Sequence, residues 1–118
     1  MLKNNIFVIG FMGCGKSTIS KMLAEKLGLK MVDSDEYIEN EQNMKISDMF
    51  EKYGEMYFRK CETEFLKGLS SSAGFIIACG GGMAVNEKNV SLMKQKGTVI
   101  MLTATAETIF ERVRRSTH

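Results

Sequence analysis

Asn5-Ile6-Phe7-Val8-Ile9-Gly10-Phe11-Met12-Gly13-Cys14-Gly15-Lys16-Ser17 is the stretch on which the reading of the whole chain turns. Ile6 to Ile9 form a short apolar run rich in β-branched residues, and the run from Asn5 to Gly10 reads as a buried strand. Gly10 to Ser17 then matches the pattern GxxxxGK[ST] in full, placed after a strand and at the opening of a helix. The pattern has a physical basis. Backbone N–H groups must converge on phosphate oxygens, and side chains at Gly13 or Gly15 would block that approach. The helix beginning near Lys16 contributes its positive dipole end and its unpaired N–H groups. Lys16 carries a mobile cation to the outer phosphates. Ser17 offers a hydroxyl to Mg²⁺, a cation that prefers oxygen. Gly13, Cys14, Gly15, Lys16, Ser17 and Thr18 are therefore the expected phosphate cradle for ATP.

Outward from this loop, apolar strand-like runs alternate with helical periodicity, the pattern of βαβ units and a parallel sheet. A helix is expected from about Lys16 to Leu27, with Ile19, Met22, Leu23 and Leu27 on one face and Gly28 as the stop. A short strand follows at Lys30 to Asp33. Two helical patterns fill the middle, one with Ile46, Met49, Phe50 and Tyr53 on a face, the other with Phe58, Cys61, Phe65, Leu66 and Leu69. Ser70 to Gly74 reads as a loop. Phe75 to Cys79 reads as a strand buried on both sides, ended by Gly80-Gly81-Gly82. Asn86 can cap a helix to about Gln95. Thr98 to Leu102 reads as another buried strand, and a last helix is expected from about Thr105 to Arg115. The fold class is α/β, a parallel sheet with helices on both faces, in a single domain over 1–118.

The phosphate loop does not name a substrate, because ATPases, GTPases and small-molecule kinases share it. The acceptor side must come from other residues. Asp33-Ser34-Asp35 ends the second strand, and open parallel sheets bind ligands beyond the carboxyl ends of their strands. One carboxylate there could hold the water shell of a metal and the other could orient an attacking hydroxyl. A solvated turn in which Asp caps the next helix fits the same residues equally well. Arg59 has Glu62 three residues on, within reach on a helix surface. The pair can present a guanidinium to a ligand carboxylate or be an ordinary surface ion pair. The three glycines at Gly80 to Gly82 allow backbone amides to approach a ligand closely.

Taken together, the phosphate loop, Asp33-Ser34-Asp35, Phe58-Arg59-Lys60-Cys61-Glu62 and Gly80-Gly81-Gly82, in that order, resemble the shikimate kinase family, and the resemblance runs over essentially the whole chain. It implies the three-layer fold of P-loop nucleotide kinases. It also implies transfer of a phosphoryl group from ATP, with Mg²⁺, to the 3-hydroxyl of shikimate, a step of chorismate and aromatic amino acid biosynthesis. By the same resemblance Lys16 and Asp35 are catalytic. Asp35, Arg59, Glu62 and the Gly80, Gly81 and Gly82 amides hold the acceptor, with Phe50 and Phe58 as apolar walls. Ser17 serves the metal directly, Asp33 serves it through water, and Arg112 stacks on adenine. Arg112 also reads as an exposed residue near the negative end of a helix. Family members continue with a lid segment, a further substrate arginine and a last strand. This sequence stops at His118, so the chain is expected to bind nucleotide, to turn over poorly, and to self-associate where the family is monomeric.

Composition excludes other classes. The chain has 118 residues, 44% hydrophobic and 25% charged, with a net charge of +2. The hydrophobic and charged fractions are those of an ordinary soluble globular domain. The net charge argues neither for nor against a nucleic-acid partner. No basic run reaches the length of a nucleic-acid or membrane-surface patch, and Arg112, Arg114 and Arg115 form only a small cluster. No apolar run is long enough for a signal-peptide core or a membrane span. The three cysteines, Cys14, Cys61 and Cys79, lie far apart and make no CxxC pair, as expected of reduced thiols in a cytoplasmic protein. A gluconate kinase would share the phosphate loop and the fold. A nucleotide-binding module without turnover would do so as well. A GTPase is disfavoured by the lack of an NKxD signature and of a DxxG after a strand.

Overall fold

The computed structural model describes residues 5–10 and 16–102. In chain order these form β1 (Asn5–Ile9), α1 (Lys16–Leu27), β2 (Lys30–Asp33), α2 (Ser34–Gln42), α3 (Ile46–Tyr53), α4 (Glu55–Gly68), β3 (Phe75–Ala78), a 3-10 turn (Met83–Val85), α5 (Glu87–Lys96) and β4 (Gly97–Met101). Gly13, Cys14, Gly15, the expected helix from Thr105 to Arg115, and Arg112 within it lie outside the described residues.

All strand pairings are parallel, and the strand order is β2-β3-β1-β4. Alternation along the central strands sends side chains to opposite faces of the sheet. Phe7, Ile9, Ile77 and Cys79 pack with Phe65 and Leu66 of α4 and Met93 of α5. Val8 and Ile76 pack with Ile19 and Ala24 of α1. Both faces are thus covered by helices, which is why these strands read as continuous apolar runs. A third cluster, Ile38, Met49 and Phe58, locks α2, α3 and α4 together.

The N-terminal ends of the strands are tied by a buried polar side chain. Asn5 Nδ2 donates to Ser70 O (2.9 Å) and Lys96 O (3.2 Å), and its Oδ1 accepts from Phe75 N (3.0 Å). One amide therefore holds β1 to the loop before β3 and to the end of α5. A Cβ on Gly97 would collide with the Asn5 carbonyl, so this close approach requires glycine.

Several sequence expectations need correction. The middle of the chain holds three helices and not two, because the polar segment Ser34–Gln42 is also helical. Leu27 is exposed and the inner face of α1 is completed by Ala24. On α3 only Met49 is buried, with Phe50 and Tyr53 exposed. β4 is only half-buried, because it lies at the end of the described sheet and meets a strand on one side alone.

Candidate active site

The parallel register fixes where the functional residues converge. Asp33 pairs with Ala78, and Val8 also pairs with Ala78, so β1, β2 and β3 end at the same level. Lys16 and Ser17 open α1 above this edge. A cavity of about 170 Å³ sits there, lined by Lys16, Ser17, Asp33, Asp35, Cys79, Gly80 and Gly81, together with Ala78. Phosphate-side and acceptor-side candidates separated by more than sixty positions in the sequence thus share one cavity.

Lys16 is the first residue of α1 and is half-buried, with Nζ donating to Gly10 O at 2.6 Å. The ammonium thus rests on the carbonyl at the end of β1, beside the cavity it lines. Ser17 and Thr18 are exposed on the first turn. Asp33 is the N-cap of α2, with Oδ1 accepting from Asp35 N (3.0 Å) and Glu36 N (3.2 Å). The capping reading of Asp33 therefore holds, and the cavity position holds with it, since the carboxylate has a second oxygen.

Asp35, the second residue of α2 in its acidic first turn, is turned toward the glycine loop. A Cβ on Gly80 would overlap its carboxylate, so the loop packs directly on Asp35 only because Gly80 has no side chain. Asp35 Oδ1 is buried and has no hydrogen-bond partner among the described residues. Burial raises the Asp35 carboxyl above the usual carboxylate range, with Asp33 and Glu39 adding to the rise and Lys16 and Arg59 opposing it.

Arg59 projects from α4 onto Gly82, where a Cβ would meet its guanidinium. NH1 pairs with Glu62 Oε1 at 2.9 Å, and Nε and NH2 both reach Glu55 Oε2 at 3.2 Å. Glu62 is fully buried, which removes the reading of an ordinary surface pair. Its burial raises its carboxyl against the pull of Arg59, and its Oε2 has no partner among the described residues. Glu62 thus lies beneath the guanidinium and holds it in place. Phe58 is buried, with its ring 5.4 Å from that of the exposed Phe50, and the Arg59 guanidinium lies 5.4 Å from the Phe58 ring centre. Of the expected acceptor residues, Asp35, Gly80 and Gly81 line the cavity, and Phe50, Phe58, Arg59, Glu62 and Gly82 do not.

Two further residues were not expected from the sequence. Ser34 is buried and its Oγ accepts from Gly80 N at 2.9 Å. Asn89 is also buried. Its Nδ2 donates to Met83 O (3.0 Å) and its Oδ1 accepts from Thr63 Oγ1 (2.7 Å), which ties the turn after the glycines to α4. No local pattern marks either one, because the contacts to Gly80 from Ser34 and to Thr63 from Asn89 cross 46 and 26 positions of sequence. Cys79 lines the cavity, but burial pushes its thiol up to about 12, so it stays protonated and inert near neutral pH. Among the described residues no cluster of His, Cys, Asp and Glu could cage a metal.

A parallel α/β sheet with a GK[ST] helix start, paired carboxylates at the end of β2 and an arginine facing a glycine loop defines a P-loop kinase fold of the small-molecule type. The family model described as Shikimate kinase matches residues 12–118, and the chain belongs to the shikimate kinase family. It is 44% identical over 110 residues to the shikimate kinase of Sulfurihydrogenibium sp., an alignment covering 93% of this chain and 66% of that protein. The structure of shikimate kinase from Acinetobacter baumannii in complex with shikimate superposes with a TM-score of 0.81 at 38% identity, covering 97% of this chain and 64% of that one. A gluconokinase from Sinorhizobium meliloti, at 16% identity and a TM-score of 0.53, shares the fold alone. The chain spans just under two thirds of the length of the shikimate kinases it matches.

Proposed function

We propose that this chain carries the nucleotide cradle and most of the acceptor site of a shikimate kinase, which moves the γ-phosphoryl group of ATP to the 3-hydroxyl of shikimate. The observation that carries the reading is the Asp35 carboxylate. It has a buried, unpartnered oxygen against the glycine loop, in the cavity that Lys16 and Ser17 also line and within the field of Arg59. That is where an acceptor hydroxyl must sit to meet a phosphoryl group held at the start of α1. Phosphoryl transfer needs positioning and charge stabilisation more than covalent chemistry. Lys16 exchanges its bond to the Gly10 carbonyl for phosphate oxygens. Asp35 orients the acceptor oxygen and takes up its proton. Arg59, held from below by Glu62, turns its fork from the exposed Glu55 to the carboxylate of the acceptor.

Mg²⁺ fits the donor set. Ser17 and Asp33 offer oxygens to the same cavity without forming a cage, as suits an ion bound mainly through phosphates and water. When bound, it neutralises charge on the phosphate oxygens. Arg112 is assigned to adenine on the family resemblance. We place the protein in the cytoplasm, with shikimate and ATP as partners and no nucleic acid or membrane. Among the described residues no helix is long and apolar enough to cross a bilayer.

A coupled assay with ATP, run with shikimate and with gluconate, tests the reading. Turnover is expected with shikimate alone, and a folded Lys16→Ala protein is expected to lose it. Arg59→Ala is expected to weaken shikimate binding by about tenfold to a hundredfold, the value of a lost charge-assisted bond, and to affect ATP far less. Activity retained in Lys16→Ala, or equal losses for both ligands in Arg59→Ala, overturns the assignment.

A further inference from the structure

Ser34 stands between two carboxylates that draw attention away from it, yet it makes the contact on which the shape of the acceptor site depends. It is fully buried at the start of α2, and its hydroxyl oxygen accepts from the Gly80 N–H across 46 sequence positions. That bond joins the end of β2 to the first residue after β3. It also removes the Gly80 N–H from the set of donors a ligand could use. Among the described residues the Gly81 and Gly82 N–H groups have no protein partner and remain for that purpose. The other side of the loop is fixed separately. Gly80 O accepts from Met83 N (3.1 Å), and Met83 O accepts from Asn89.

Gly80 is also the residue that packs on Asp35, and Gly82 is the one that packs on Arg59. The position of Gly80 therefore sets the gap between the Asp35 carboxylate and the free amides. With no Cβ at 80, 81 or 82, the loop backbone has wide conformational freedom of its own. A single buried hydroxyl holds its leading end.

We infer that Ser34 is a positioning residue for the acceptor. Its hydroxyl clamps the Gly80 amide, fixes the separation of Asp35 from the Gly81 and Gly82 amides, and reserves those two for the ligand. The inference rests on the acceptor reading given under Proposed function. Its prediction is selective. Removing the hydroxyl leaves the partly buried Gly80 N–H without its protein partner and loosens the acceptor side, while Lys16 and Ser17 on α1 keep their places.

Amide hydrogen exchange, followed residue by residue in the protein without ligand, tests the clamp directly. In the wild type Gly80 is expected to exchange more slowly than Gly81 and Gly82. In Ser34→Ala the Gly80 rate is expected to rise about tenfold, as for loss of one hydrogen bond. Calorimetry on the same variant is expected to give about tenfold weaker shikimate binding and ADP binding within about twofold of wild type. Ser34→Thr, which keeps the hydroxyl, is expected to recover slow Gly80 exchange and most of the shikimate affinity. Equal exchange at the three glycines in the wild type overturns the clamp without recourse to any variant. Equal weakening of shikimate and ADP in Ser34→Ala reduces the residue to a general structural role and overturns the inference. If the wild type does not bind shikimate, the functional reading fails and the acceptor role of Ser34 fails with it, while the Gly80 exchange rates still decide whether the clamp exists.

Discussion

At the scale of single residues, the sequence singles out candidate groups because chemistry restricts their types, and the fold brings Lys16, Ser17, Asp33 and Asp35 of that set to one cavity. A phosphate cradle needs glycines and a lysine, and an acceptor carboxylate calls for an arginine. Their environment was not readable. Ser34 and Asn89 look like any polar residue until distant backbone comes to rest on them. The environment also sets the behaviour of Asp35. Its folded-state carboxyl lies above the ordinary value of 3.8, chiefly through burial. The folded state therefore holds this proton more tightly than the unfolded chain. The ionised carboxylate opposes folding above the folded value, and that opposition is relieved as pH falls through it toward the ordinary carboxylate range. Asp35→Asn is accordingly expected to raise Tm at neutral pH, with the gain shrinking as pH falls through that window. Turnover in the same variant is expected to drop by about a hundredfold or more, the usual value of a positioned proton acceptor. In the wild type the acid limb of kcat/KM, which reports the free enzyme, is expected above the ordinary carboxylate range. Calorimetric melting and initial rates across pH check these outcomes. A Tm difference that grows as pH falls contradicts the burial argument.

At the scale of elements, the strands were legible as continuous apolar runs, α1, α3 and α4 by helical periodicity, and α5 by its cap Asn86. α2 was not. Ser34–Gln42 reads SDEYIENEQ, with a single fully buried apolar residue, Ile38, seated against Met49 and Phe58. What stabilises this helix is its ends. Asp33 caps the first turn, Asp35 and Glu36 favour its dipole, and Asn43 closes it in the left-handed region at φ 53°. Asp33 caps α2 and also lines the cavity, so two substitutions separate the cap from the proposed metal role. Asp33→Asn keeps a good cap but removes the charge. Its stability is expected within about 0.5 kcal/mol of wild type, while its activity falls and is partly restored by raising Mg²⁺. Asp33→Ala removes the cap as well and is expected to cost about 1 kcal/mol in denaturant unfolding. If excess Mg²⁺ rescues Asp35→Asn instead of Asp33→Asn, the roles of the two carboxylates are reversed.

At the scale of the whole molecule, the sheet order β2-β3-β1-β4 places β4 at an end, and among the described residues nothing pairs with its outer side. The run Thr98 to Leu102 suggested a strand buried on both faces. The structure gives a half-exposed one, with Met101 64% exposed. A sequence run reports how apolar a strand is, and which neighbours cover it depends on the rest of the assembly. An apolar strand with a free edge offers unpaired N–H and C=O groups to any similar strand nearby. The chain of 118 residues also spans only 66% of the related kinase from Sulfurihydrogenibium. The edge leads to the expectation that this chain self-associates through β4, while nucleotide binds at the start of α1. Met101→Lys puts a charge on that edge at an exposed position, so it should reduce association without disturbing the core. Sizing chromatography with light scattering over a concentration series checks this: dimers and larger species are expected in the wild type and fewer in Met101→Lys. A wild-type chain that stays monomeric at every concentration contradicts the edge argument and requires that β4 be covered in solution.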